Sequence, residues 1–248
     1  MKIQLIRNAS LWLEYAGNTF LVDPMFSPQG ANPPVFNTAN DRRNPLVPLP
    51  FPMETWLKPD AVLLTHLHPD HWDPAAAEAL DQSVPIACQP AEGDAIRAAG
   101  FMNVTEVKES FSLGGTTIFR TSGKHGIGEI GQLMGQVSGY VFQADGEPTL
   151  YIAGDTIWCD DVKQALDQYR PDLTLVNAGG ARFLEGGHII MNEDDVVSLC
   201  RYAPYTKVAA IHMEAINHCF TTRNNLMERL TSEQLNSQVQ IPRDGEWF

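Results

Sequence analysis

Short stretches of alternating apolar and polar residues open the chain. Residues 3–6, 11–15 and 18–22 each read as strands, with the turn at Ala16-Gly17-Asn18 between the second and third. Asp23-Pro24 ends the third. Further on the apolar runs become continuous: AVLLT (61–65), TLYIA (149–153), LTLVN (173–177) and KVAAI (207–211) have the length and β-branched content of strands buried on both faces. Strands are also expected at 84–88, 104–107, 116–121 and 137–143.

Helix signals fall between these runs. Asp73-Pro74 reads as an N-cap with proline at the first helical position, leading an Ala-rich helix to Leu80. A helix is expected at 92–99. Asp160-Asp161 opens another, with Val162, Ala165, Leu166 and Tyr169 on one face. Asn192 caps a helix whose first turn is Glu193-Asp194-Asp195, with Met191 and Val196 placed to staple it. The last helix is expected at 223–235. Lys58-Pro-Asp-Ala-Val-Leu-Leu and Arg170-Pro-Asp-Leu-Thr-Leu-Val echo one another ahead of two apolar strands, which hints at a duplicated layout. The element pattern predicts sheet packed on sheet with helices outside.

Residues 24–59 stand apart. They hold Pro24, Pro28, Pro33, Pro34, Pro45, Pro48, Pro50, Pro52 and Pro59. A segment so rich in proline runs neither as a helix nor as a central strand, and long ordered loops of this kind often cover a site.

Composition narrows the function. The chain has 248 residues, enough for one large domain with a real core, and 1–248 is read as one domain with the Pro-rich loop inside it. Its net charge of −13 disfavours nucleic acid as a partner. No apolar run reaches the ~18–20 residues of a membrane span. The N-terminal residues lack the order of a secretion signal, and the four cysteines, Cys88, Cys159, Cys200 and Cys219, show no C-x-x-C spacing. Both features lead us to expect reduced thiols and a cytoplasmic location.

The chemistry concentrates in Thr65-His66-Leu67-His68-Pro69-Asp70-His71. His66 and His68, two apart in extended backbone, project to one side. Pro69 forces a turn, from which Asp70 and His71 return toward the same point. Imidazole and carboxylate together suit zinc, manganese or iron.

This H-x-H-x-D-H motif after an apolar strand resembles the metallo-β-lactamase superfamily. Leu21-Val22-Asp23-Pro24, Ala153-Gly154-Asp155-Thr156, His125 in Ser122-Gly-Lys-His-Gly and His212 after KVAAI agree with it in order. The opening NASLWLEYAGNTFLVDP is most similar to the branch containing ascorbate-6-phosphate lactonase, which commonly has His where this chain has Asn8. The resemblance implies a four-layer αββα sandwich of two mixed sheets. It implies two divalent cations, zinc or manganese with iron as an alternative, one held by His66, His68 and His125 and the other by Asp70, His71 and His212. Asp155 would bridge them, Asp70 would carry the proton, and Asp23 would orient a ligating imidazole.

Such a pair makes hydroxide from water at neutral pH, which implies hydrolysis of a small ester, lactone, amide or phosphoester. Asn177, Arg182, His188 and His218 are candidate substrate contacts, with a small molecule as partner and a homo-oligomer compatible. Trp72 and Trp158 are candidates for an apolar wall of the site or for core packing. The same scaffold also hosts mononuclear iron sulfur dioxygenases. A metal-stabilised binding protein without catalysis is the non-enzymatic alternative.

Overall fold

The computed structural model describes all residues from Met1 to Phe248. Two sheets form the centre. The first runs in the order β1 (Lys2–Arg7), β2 (Ser10–Tyr15), β3 (Asn18–Val22), β4 (Ala61–Leu63), β5 (Ile86–Cys88) and β6 (Val104–Glu106). The second runs β13 (Val239–Gln240), β12 (Lys207–Ile211), β11 (Leu173–Asn177), β10 (Leu150–Ile152), β9 (Ser138–Gln143), β8 (Thr116–Ser122) and β7 (Ser110–Leu113). Both are mixed: β1 to β3 pair antiparallel and β3 to β6 parallel, while β7 to β10 pair antiparallel and β10 to β13 parallel.

Side-chain alternation assigns the layers. Phe20, Val22, Ala61 and Leu63 from the first sheet meet Phe142, Leu150, Ile152, Leu175 and Ile211 from the second in one buried cluster between the sheets. The alternate positions face outward. Leu21, Val62, Leu64 and Ile86 pack under α1 (Pro74–Ala79) and α2 (Gly93–Ala98). Tyr151, Val176, Val208 and Ala210 pack under α4 (Asp160–Tyr169), α5 (Glu193–Tyr202) and α6 (Arg223–Ser232). This is the αββα sandwich. Each fully buried Leu, Ile or Phe contributes roughly 1.5–3 kcal/mol, so the alternation that fixes the register also carries the stability.

The helix starts follow their capping residues. Asp73 accepts the Ala76 N–H at 2.8 Å, with Pro74 at the first helical position. Asn192 Oδ1 accepts the N–H groups of Asp194 and Asp195, both at 3.0 Å. α4 ends at Arg170, which adopts the left-handed conformation before Pro171.

The structure adds elements that went unread in the sequence and moves one boundary. Edge strand β7 is half-exposed, and β13 has only two residues. Residues 245–248 run beside β1, with Gly245 N–H donating to Leu5 O and Phe248 N–H to Ile3 O. Helix α3 (Gly128–Met134) buries no residue fully, although Ile130 and Met134 pack against Ala181, Ile189 and Ile190. The last helix ends at Ser232, short of 235.

The Pro-rich segment is irregular except for a 3-10 turn at Met53–Trp56. It is tied down at several points. Buried Arg7 donates to the carbonyls of Met25, Ser27 and Val47. Asn217 holds Val35, Thr38, Asn40 and Asn44, and Leu46 N–H donates to Ala215 O at 2.7 Å. The segment therefore straps the loop that follows β12.

Candidate metal centre

The cluster is built from segments that follow strands, with His68, Asp70 and His71 further along the loop after β4. His66 follows β4, Asp155 follows β10, His212 follows β12 and His125 follows β8. The backbone turns sharply there: Asp23 has φ 45°, His212 φ 60° and Gly154 φ 70°. Such conformations cost a non-glycine residue of the order of 1 kcal/mol and persist where the surroundings over-determine them. At Gly154 a Cβ would stand 2.5 Å from Ser138 O, so only glycine lets the chain turn Asp155 inward.

Two groups of donor atoms converge: His66, His68 and His125 in one, Asp70, His71, Asp155 and His212 in the other. Asp155 stands between them. Its Oδ2 is 3.2 Å from His71 Nε2, 3.5 Å from His125 Nε2 and 3.9 Å from His66 Nε2, while Oδ1 is 3.7 Å from His212 Nε2. Asp70 Oδ2 is 3.2 Å from His212 Nε2. His125 Nε2 lies 3.3 Å from His68 Nδ1.

The outer nitrogens of four rings are held. His71 Nδ1 donates to Asp23 Oδ2 at 2.8 Å, and His125 Nδ1 to Ile189 O at 2.9 Å. His66 Nδ1 sits 3.2 Å from Thr65 Oγ1, and His212 Nδ1 3.6 Å from Cys219 Sγ. The carboxylate and the carbonyl can only accept, so His71 and His125 carry a proton on Nδ1 and turn Nε2 inward. Asp23 in turn accepts from Thr65 N–H at 2.8 Å and Thr65 Oγ1–H at 2.6 Å. Asn177 Nδ2 donates to Asp155 Oδ1 at 2.5 Å, which fixes that carboxylate.

The electrostatics divide the rings. Burial, followed by the charge of His71, pushes His66 well below the usual imidazole range, and burial takes His125 down to about 4. Burial also acts to lower His71, but Asp155, Asp23 and Asp70 outweigh it and raise it to about 10. His212 is likewise raised against burial, chiefly by Asp155. Burial acts to raise Asp155 and Asp70, but His71 and His212 together outweigh it and hold both well below the usual carboxylate range. Buried His66 Nε2 has no partner in the protein. An orphaned imidazole nitrogen facing other imidazole nitrogens and carboxylates fits a divalent cation, which takes N and O donors together.

The remaining candidates divide. Asn177 joins the cluster through Asp155. His218 is buried, with Phe183 6.1 Å from its ring and Nδ1 unpartnered, and it feels the charge of Asp70. His188 instead pairs with Asp195 at 2.8 Å, and Arg182 is exposed over the Phe220 ring. Trp72 packs against Phe101 and Trp158 against Tyr202, so both serve the packing. Sequence reasoning missed Thr65, Cys219 and the Ile189 carbonyl. Thr65 adjoins the motif, whereas the other two have no local signal.

A sandwich of two mixed sheets with a histidine and aspartate cluster at its strand ends defines the class: a metallohydrolase scaffold. Residues 18–213 match the Beta-lactamase superfamily domain. The chain belongs to that superfamily and is a metal-dependent hydrolase. The UPF0173 protein YddR of Bacillus subtilis strain 168 is 36% identical over 252 aligned residues, covering 100% of this chain and 99% of that one. The crystal structure of an isothiocyanate hydrolase from Delia radicum gut bacteria superposes with a TM-score of 0.95 at 39% identity, covering 100% of this chain and 98% of the other. A possible metal-dependent hydrolase from Veillonella parvula DSM 2008 gives 0.97 at 35% identity with the same coverage. No helix is long and apolar enough to cross a membrane.

Proposed function

We propose that this chain is a binuclear hydrolase acting on a small electrophilic carbon, with the isothiocyanate group as its substrate class. The observation that carries the two-metal part is the position of Asp155, within 3.9 Å of donor nitrogens from both groups. One cation would be held by His66, His68 and His125, the other by Asp70, His71 and His212, with zinc or manganese suiting the donor set. When bound, the pair would supply a hydroxide at neutral pH and draw off developing negative charge.

The side chains do the rest. Asp155 offsets the repulsion between two cations, and Asn177 keeps its carboxylate in place. Asp70 is the most exposed of the ligand carboxylates, at 18% against 4% for Asp155, and is ionised at neutral pH. It accepts the proton of the attacking water and passes it outward. His218 lines the substrate side.

The substrate part rests on the 39% identical isothiocyanate hydrolase and on exposed apolar residues in the segments that follow His125 and Arg182. Ile127 and Leu133 are exposed beyond His125, and Leu184 is exposed where its N–H meets Asn37 O beside exposed Phe36. These suit an uncharged apolar substituent. Addition of water across the N=C=S carbon gives a thiocarbamate, which separates into an amine and carbonyl sulfide.

The test is to load purified protein with zinc or manganese, count metals by elemental analysis and follow benzyl isothiocyanate by absorbance. A lactone, a nitrophenyl ester, an amide and a phosphodiester serve as comparators. Preferred turnover of the isothiocyanate with two metals per chain is expected. Turnover of a comparator alone overturns the substrate class. One metal at saturation overturns the binuclear reading, and a single iron promotes the sulfur dioxygenase type.

A further inference from the structure

Asn8 occupies the tight turn between β1 and β2, is buried, and has φ 61°, a conformation that asparagine tolerates better than most residues. Its backbone carbonyl accepts the His212 N–H at 2.9 Å. Its Nδ2 donates to the Asp70 carbonyl at 3.1 Å, which fixes the orientation of the amide. The same Nδ2 lies 3.4 Å from His212 Nε2. That nitrogen stands 3.2 Å from Asp70 Oδ2 and 3.3 Å from His71 Nε2, so the amide abuts the point on which these donor atoms converge. Asn8 Oδ1 is buried with no partner.

Once His212 Nε2 gives its lone pair to a cation, it no longer accepts a hydrogen bond. The second Nδ2–H of Asn8 then has no acceptor in the protein. Leaving a buried donor unpaired costs roughly 1–3 kcal/mol, unless a bound species takes the hydrogen bond. A donor aimed at an atom that gains negative charge is also the arrangement that stabilises a transition state. We propose that Asn8 is a catalytic residue whose Nδ2–H donates to the anionic oxygen or sulfur atom that develops on the substrate beside His212 and Asp70. This rests on the two-cation reading of the site.

The probe is thiocyanate, a linear anion, titrated into zinc-loaded protein by calorimetry alongside metal counts and melting temperatures. Asn8→Gly removes the amide and accepts the positive φ without strain. Asn8→Asp keeps the shape but replaces the donor by a negative acceptor. Both variants are expected to keep the wild-type metal content. Thiocyanate affinity should fall about tenfold in Asn8→Gly and further in Asn8→Asp, the range for a lost hydrogen bond to a charged group. In turnover, kcat should fall with KM little changed. Unchanged thiocyanate affinity in both variants overturns the assignment. So does loss of a metal from Asn8→Gly, which would make Asn8 part of the metal cage. A wild-type chain that saturates at one metal refutes the two-cation reading instead, and the difference between wild type and Asn8→Gly still decides the role of Asn8.

Discussion

The two halves of the molecule repeat one strand-turn-strand design, joined by the Pro-rich segment in the first and by α4 in the second, and place their carboxylates differently. In each, a strand paired antiparallel to its predecessor is followed by a Lys/Arg-Pro-Asp turn and a parallel strand. Asp60 Oδ2 accepts the Thr19 N–H, and Asp172 Oδ2 accepts the Thr149 N–H, both at 2.8 Å. Phe20, Leu21 and Val22 pair with Ala61, Val62 and Leu63, as Leu150, Tyr151 and Ile152 pair with Leu173, Thr174 and Leu175. Asp23 N–H donates to Leu63 O, and at the matching place Ala153 N–H donates to Leu175 O.

There the halves part. The first half puts its carboxylate directly at that position. Asp23 therefore reaches sideways to Thr65 and to the outer face of His71. The second half inserts Ala153 and Gly154 first, and the left-handed Gly154 carries Asp155 into the cluster. The partners match as well. Thr65 and Asn177 lie two residues beyond the paired Leu63 and Leu175, and each binds the carboxylate of its own half. A shift of two residues thus separates a carboxylate that holds the outer face of His71 from one that stands among the converging donor atoms.

Breaking the comparison at Asp155 should have the largest effect. Asp155→Asn keeps the shape but removes the charge between two cations. Activity should fall by about three orders of magnitude or more, with metal content dropping toward one per chain. Near-normal turnover would show that Asp155 is no bridge. Asp23→Asn, its counterpart, should weaken metal affinity by roughly 10- to 100-fold and leave the stoichiometry unchanged, as read by competition with a chelator. Equal damage from the two variants would erase the distinction.

The downstream histidines sharpen the same contrast. His212→Ala should strip one metal. His218→Ala and His188→Ala should keep both, because neither ring reaches the converging atoms. Elemental analysis of the three variants decides this.

The smallest effect expected is in pH. His71 and His212 are raised by their carboxylates, so each carries a proton in metal-free protein at neutral pH. A cation must displace those protons, so its affinity rises as pH rises toward about 10 and falls as pH falls. Proton release measured by calorimetry in buffers of different ionisation enthalpy checks the sign. In metal-free protein a group with a raised pKa stabilises the fold below its unfolded value of about 6.5. That contribution from His71 is lost as pH climbs through about 10. Metal-free protein that melts at the same temperature at pH 7 and pH 10 would contradict it.

Much of this was legible in the residues. Period-two alternation fixed β1 to β3, because each strand there buries one face between the sheets and the other under helices or the strap. Continuous apolar runs marked β4, β10, β11 and β12. The spacing of His66, His68, Asp70 and His71 revealed metal chemistry, because a strand end followed by proline brings those side chains together locally. The capping residues Asp73 and Asn192 determined where helices start, since a side-chain acceptor for orphan N–H groups is a property of a few adjacent residues.

The tertiary structure decided what no local pattern encodes. Helix α3 has seven residues, strand β7 four and strand β13 two, so any period in them is too short to stand out. The supports of the cluster come from far along the chain: Asp23 lies 48 positions from His71, and the Ile189 carbonyl 64 from His125. Asn8 and His212 meet across 204. Hydrogen bonds of that separation exist only after the sheets have packed. The sequence could therefore name the residues that cluster, while the atoms that aim them, and the amide of Asn8 beside them, were set by the fold.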